Sequence, residues 1–280
     1  MYPATGTSNC QRARIVNALR SHDHKHINQN PLADSAEVPW AGRELQANTF
    51  ADDDGSARPE LIQAIKNFHE TLDPAEVFLE FKKSRLLIPL IAVLGESEIG
   101  AHGQTVDKSA ELSIVNVKTP DDQVGLPVFS SVETMKVWNP EARPVPHDAV
   151  RVALAAASEG NTRIILDPGS ASEFAFRRAA IAALAQSLDW QAPYLDEKVI
   201  ASYKSAIQDE SEITEITIGT ADPQSRLAGP EVQIQLEAKS GLSKTQLEDV
   251  LQRVIEKWSQ SEVIVSAVDS ISLKVKPESN

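Results

Sequence analysis

The chain has 280 residues, a net charge of −13 and a sequence pI of about 4.9. That length suits two domains of ordinary size. The acidic balance argues against nucleic acid as the main partner, because such binding needs clustered Lys and Arg to neutralise phosphates.

Cys10 is the one cysteine, which excludes an intramolecular disulfide and argues against a cysteine-based metal site. Arg12, Arg14 and Arg20 bracket too few apolar residues for a signal peptide. The longest apolar run, Leu86 to Leu94, has 9 residues, where a bilayer span needs about 20. A cytoplasmic protein with no membrane partner is the expectation, and an exported domain with an atypical signal is the alternative.

Residues 1–39 are expected to be a disordered leader, with a marginal amphipathic helix at Arg14 to Leu19. His22, His24 and His26 alternate there, a spacing that holds a transition metal weakly at most; no metal site is assigned. Trp40 reads as an anchor that buries its ring against the following domain. Asp52-Asp53-Asp54 reads as a solubilising acidic stretch. The first helix follows Ser56 as cap, tolerates Pro59 in its first turn, and repeats Leu61, Ala64, Ile65 and Phe68 at helical spacing. A second helix starts at Asp73, with a capping box closed by Glu76 and with Val77, Phe78 and Phe81 buried.

Three β-rich runs then follow: Ser84 to Leu94, Asp107 to Val117 and Leu126 to Ser131. They read as strands of one sheet, the second and third joined as a hairpin by Thr119-Pro120-Asp121-Asp122. Pro89 lacks the N–H a ladder needs and favours an edge or a bulge. Gly95 to Val106 is a long polar connection. Glu133 to Trp138 is a short helix stopped by Asn139-Pro140. Pro144-Val145-Pro146 leads into a helix at Ala149 to Ala157, ended by Gly160. Thr162 to Leu166 is a buried strand, Asp167-Pro168-Gly169 a turn, Phe174 to Phe176 a short strand and Arg177 to Leu188 a helix.

Residues 40–190 therefore form a first domain, 191–195 a linker, 196–276 a second domain and 277–280 a tail. In the second, a helix carries Val199, Ile200, Tyr203 and Ile207. Strands follow at Ile213 to Ile218 and around Val232, Ile234 and Leu236. Ser243 and Gln246 cap the best helix of the chain, whose stripe is Leu247, Val250, Leu251, Val254, Ile255 and Trp258. Val263 to Ala267 and Ile271 to Val275 read as two more strands. The fold class is α+β: a mixed sheet covered by helices, then a small α+β sandwich of β-β-α-β-β type.

The candidate residues are few. The chain has no glycine-rich phosphate loop and no Gly-x-Ser-x-Gly elbow. His69 reads as a helix-boundary residue, and His102 and His147 stand alone. Lys108, with Asp107, reads first as a surface pair and second as the charged rim of a groove shared with Arg85. Phe129 and Trp138 read as neighbours in the core, or as a binding anchor if a ring is exposed. Asp167, at a strand end, is either a cap for the turn or a catalytic group. No catalytic residue and no cofactor is assigned.

These motifs occur in an order that resembles a known family. Arg85-Leu86-Leu87-Ile88-Pro89, Asp107-Lys108-Ser109-Ala110-Glu111-Leu112, Leu126-Pro127-Val128-Phe129-Ser130-Ser131-Val132, Trp138-Asn139-Pro140-Glu141-Ala142-Arg143-Pro144-Val145-Pro146 and Ile165-Leu166-Asp167-Pro168-Gly169 look like the SseB-family N-terminal domain of actinobacterial proteins. Trp40-Ala41-Gly42-Arg43 and Phe50-Ala51-Asp52-Asp53-Asp54-Gly55-Ser56 are similar as well. Residues after 196 resemble the C-terminal domain that accompanies it. The resemblance implies no substrate, cofactor or catalytic residue. The expected function is a non-enzymatic adaptor or regulatory module that binds another protein. A sensor or enzyme of unfamiliar type using the Arg85, Lys108 and Asp167 face, with a small-molecule ligand, is the alternative. A homodimer formed through the second domain's sheet is a third reading.

Overall fold

The computed structural model describes residues 15–16, 50, 52–93 and 111–278. Cys10, the three leader histidines, Trp40, the connection Gly95 to Val106, and Asp107 and Lys108 lie outside the described residues. Ile15–Val16 form a short strand, β1, where the leader was expected to be helical or disordered.

The first unit opens with α1 (Pro59–Thr71) and α2 (Ala75–Lys83). Both bury the stripes expected of them. Their caps differ: Arg58, without a side-chain capping bond, precedes α1, and Ser56 instead bonds Asp54. At α2 the Asp73 carboxylate accepts the Ala75 N–H at 2.9 Å, while Glu76 reaches Asn67 rather than closing a box. The strands are β2 (Arg85–Val93), β3 (Glu111–Ile114), β4 (Asn116–Lys118), β5 (Val124–Val128), β6 (Arg143–Asp148), β7 (Arg163–Leu166) and β8 (Phe174–Phe176). Helices α3 (Val132–Trp138), α4 (Ala149–Ser158) and α5 (Arg178–Ala185) connect or follow them.

The three β-rich runs do not share one sheet. They divide between a five-stranded mixed sheet, β1-β4-β5-β7-β8, and a three-stranded sheet, β3-β2-β6. The second run supplies one strand to each, because Val115 leaves the ladder between β3 and β4. The β4–β5 hairpin forms as the turn chemistry requires, with the Asp122 N–H donating to Thr119 O at 3.0 Å. Among the described residues one isolated antiparallel bridge, Leu87 to Phe129, joins the two sheets.

β2 is the centre of its sheet despite Pro89, and β6 is a strand despite two prolines. The register explains both. Leu87 lies opposite Pro146 and Pro89 opposite Pro144, and the Leu87 N–H points away from β6, donating to Phe129 O at 2.9 Å. Alternation therefore puts all three prolines where no β2–β6 hydrogen bond is needed. Pro144 and Pro146 also blunt the outer edge of β6 against pairing with another chain.

One face of the two sheets, through Leu86, Ile88, Leu126, Val128, Ile164, Leu166, Phe174 and Phe176, packs under α1, α2, α4 and α5. Each buried Phe there contributes about 2–3 kcal/mol of apolar transfer. The other face is covered by α3 and by the second unit: Trp138 and Leu227 pack on Val117, Ile165 and Ala175. The expected linker is itself packed, with the Tyr194 hydroxyl donating to Leu72 O at 2.8 Å, and just before it the Trp190 ring lies 5.4 Å from that of Phe78.

The second unit comprises α6 (Glu197–Ala206), β9 (Ile213–Gly219), β10 (Val232–Ala238), α7 (Lys244–Ser259), α8 (Glu262–Ala267) and β11 (Ile271–Pro277). Its sheet runs β11-β10-β9, with β10 parallel to β11 and antiparallel to β9. The Ser243–Gln246 capping box is present. Residues 262–267 are helical where a strand was expected, so the unit has three strands and not four. Ser261 accepts the Ile264 N–H and nucleates the turn, and Ile264 is buried while Val263 and Val265 face out. Capping and one packing contact override the β-branched propensity. The chain is α+β throughout, and no helix among the described residues is long and apolar enough to cross a membrane.

Candidate functional site

β5 and β7 run parallel and end together, Val128 beside Leu166. The chain leaves β7 at Asp167, whose φ of 46° is left-handed, a conformation that Asp and Asn adopt more readily than most residues. This places its carboxylate under the residues that follow β5. It accepts the Ser130 N–H at 2.8 Å, the Ser130 hydroxyl at 2.6 Å, the Thr134 hydroxyl at 2.8 Å and the Ser172 hydroxyl at 2.7 Å. Asp167 is 0% exposed. Four donors on two oxygens use its accepting capacity within the fold, and a general base needs a lone pair turned toward its substrate.

Arg85 converges on the same residue from β2. Its Nη1 donates to Ser130 O at 3.0 Å, and its Nε and Nη2 grip the Asp53 carboxylate at 2.7 and 2.8 Å. Nη2 also donates to Ser56 O at 2.7 Å. Asp53, expected to be a solubilising charge, is thus the anchor of the segment before α1. Gly55 completes this corner. Its φ is 81°, a Cβ there would lie 2.8 Å from Val132 Cγ2, and its carbonyl accepts the Val132 N–H at 2.9 Å.

Ser130 therefore links Arg85 and Asp167, and the structure brings these two predicted residues together. Phe129, the residue before, is fully buried, and its backbone exchanges two 2.9 Å hydrogen bonds with Leu87. Its ring lies 5.2 Å from that of Trp138, tilted by 43°. Phe129 is a core residue that fastens the two sheets. Trp138 is half-buried, between the Phe129 cluster and the Val117–Ile165–Ala175 face. Beside it Val137 is 80% exposed. Lys108 lies outside the described residues.

A second polar assembly went unread in the sequence. Arg163, which starts the buried strand β7, grips Asp269 through Nη1 and Nη2 at 3.0 and 2.8 Å and bonds Asp121 through Nε at 2.9 Å. Arg177, just before α5, bonds Asp222 at 2.8 Å and Gly229 O at 2.6 Å. These contacts join the two units. Burial works to raise the Asp121 carboxyl, but the Thr119 hydroxyl and Arg163 outweigh it and hold the group below its ordinary range. Burial pushes Glu231, which accepts the Asp269 N–H at 2.7 Å, up to about 7. The signal available in the sequence was an arginine opening a run as apolar as Ile164-Ile165-Leu166, since a cation there needs a partner. Its partners sit in turns that read as surface.

A cavity of about 30 Å³ lies at this joint, lined among others by Arg177, Trp190, Tyr194, Asp222 and Glu231. The larger concavity, of about 580 Å³, is an open depression along α7 beside Leu251 and Ile255. Neither is lined by Arg85 or Asp167. Among the described residues no three His, Cys, Asp or Glu are grouped to hold a metal ion.

The fold and this geometry define a two-unit α+β protein whose predicted polar site is a knot of internal hydrogen bonds. Residues 60–183 match the SseB protein N-terminal domain. No curated protein and no solved structure matches the chain.

Proposed function

We propose that the chain is a non-enzymatic adaptor or regulatory module, cytoplasmic, that binds another protein through the end of α3. The observation that carries this reading is Val137, an aliphatic side chain 80% exposed beside the half-buried Trp138. An aromatic seated on a rigid core with one edge free, next to an exposed apolar residue, is the composition of a binding anchor. α3 is rigidly held: Ser131 caps it, Met135 is buried under it, and Thr134 is tied to Asp167. We also read residues from 196 onward as the companion domain of the SseB unit, which covers part of the same sheet face through Leu227.

The small-molecule reading of the Arg85, Lys108 and Asp167 face has less support. Arg85 and Asp167 spend their hydrogen bonds on Asp53, Ser56, Ser130, Thr134 and Ser172.

The test is binding of the purified chain to partner candidates captured from native lysate, comparing wild type with Val137→Asp and with Leu154→Asp. Leu154 is 53% exposed on α4 and serves as the control. The reading expects Val137→Asp, folded by circular dichroism, to lose a partner at least tenfold in affinity while Leu154→Asp keeps it. Equal binding by both variants, or loss in both, refutes the α3 surface.

A further inference from the structure

Among the described residues four arginines cross the joint between the units, and two of them spend their guanidinium on backbone carbonyls: Arg178 Nη2 donates to Val265 O and Val268 O, and Arg226 Nη2 to Ser170 O. The other two, Arg163 and Arg177, face four carboxylates: Asp121, Asp222, Asp269 and Glu231. The three aspartates each have a guanidinium within 3 Å. Glu231 has no ion-pair partner among the described residues and is 6% exposed. Its one side-chain hydrogen bond is from the Asp269 N–H, and its own N–H is spent on Ser270 Oγ at 3.0 Å.

The groups facing Glu231 come from every element packed around it. They are Arg163 on β7, Arg177 before α5, Asp222 in the β9–β10 loop and Asp269 before β11, with Tyr194 in the connection and Tyr203 on α6. The Tyr203 hydroxyl is buried without a hydrogen-bond partner among the described residues. The cavity at the joint has room for water, given that a water needs about 10–15 Å³ by this measure. Burial disfavours a charged Glu231 and outweighs the Asp269 N–H and the Arg177 and Arg163 guanidinium groups, which favour it, while the Asp269 carboxylate adds to the cost; a neutral Glu231 avoids that cost.

We propose that Glu231 is a proton-operated latch between the two units: with a proton bound the joint closes, and without one it loosens and lifts the loop Thr220 to Gly229 off the first unit's sheet. That loop is held by the same joint. Asp222 accepts the Leu227 N–H at 2.8 Å and the Arg177 guanidinium at 2.8 Å. Ser225 O accepts the Ala175 N–H at 2.7 Å on the outer edge of β8. Leu227 then covers the face shared with Trp138.

Burial raises the Glu231 carboxyl from 4.5 to about 7 in the closed joint. The stabilisation it allows is therefore fully present below about 4.5 and is lost as pH rises through about 7. The closed-to-open ratio falls about 30-fold between pH 5.5 and pH 8 by this linkage.

Amide hydrogen exchange on the full chain by NMR reads this directly, each rate divided by its intrinsic rate at that pH. Protection of the Ala175 and Asp269 N–H groups is expected to fall about 30-fold from pH 5.5 to pH 8, while the Asp167 N–H, bonded to Val128 O inside the first unit, holds constant. In Glu231→Gln the fall is expected to vanish. Equal slopes in wild type and Glu231→Gln overturn the proposal. If Glu231→Gln does not fold, the carboxyl carbon shift of Glu231 in the wild type decides: a midpoint near 7 supports the latch, and one below 5 overturns it.

Discussion

Replacing Asp167 with alanine isolates what the Ser130 knot contributes. The substitution removes the acceptor of one buried N–H and of three hydroxyls, those of Ser130, Thr134 and Ser172. The orphaned Ser130 N–H costs about 1–3 kcal/mol, because Ser130 is buried. Ser172 and Thr134 are half-buried and recover part of their bonding from water. Alanine at a φ of 46° adds about 1 kcal/mol of backbone strain. The sum is about 2–4 kcal/mol, a large share of the 5–15 kcal/mol that holds a typical domain together. Urea unfolding followed by far-UV circular dichroism gives the change. Thr134→Val, which removes one bond, is expected to cost about 1 kcal/mol and to couple to Asp167→Ala by about 1 kcal/mol in a double-mutant cycle. A stability loss below about 0.5 kcal/mol for Asp167→Ala would refute the structural assignment and return Asp167 to the list of functional candidates.

Gly55→Ala is expected to cost about 1–2 kcal/mol in the same unfolding assay, since its Cβ meets Val132 Cγ2 at 2.8 Å and its φ is 81°. Ser243→Ala breaks the capping box and is expected to cost about 1 kcal/mol, with faster amide exchange confined to the first turn of α7. Hydrogen bonds from Arg253, against some opposing burial, hold the Glu210 carboxyl below its ordinary range. The stabilisation from Glu210 is thus present above that range and lost as pH falls through the lowered value, and a carboxyl-shift titration should show a midpoint below 4.5 that rises toward it in Arg253→Gln.

The helices were legible because one stripe of side chains decides them. Leu61, Ala64, Ile65 and Phe68 in α1, and Val250, Val254 and Trp258 in α7, are buried as their spacing requires. Ile255 is the exception: it lies at the margin of the stripe and is 50% exposed. The division into two sheets was not legible, since period-two alternation says which face a residue takes but not which strand it pairs with. β6 was hidden by prolines whose cost disappears only once the register is known. α8 was hidden by Val263, Ile264 and Val265, a β-branched run that Ser261 turns into a helix. Asp167 and Arg85 were visible as polar residues at strand ends, and their shared partner Ser130 was not, because backbone bonds leave no mark on composition. The joint between the units was invisible for a related reason: its charged groups lie far apart in sequence and meet only in the fold.

The central claim is that the protein works by binding another chain at the end of α3. Site-specific photocrosslinking tests it most directly, with a benzophenone side chain placed at Val137, and at Leu154 as control, in cells that express the protein natively. The account predicts a discrete adduct from position 137 that is absent from position 154 and disappears when Trp138→Ala, checked for folding, is combined with it. No adduct from position 137, or the same adduct from both positions, would contradict the account.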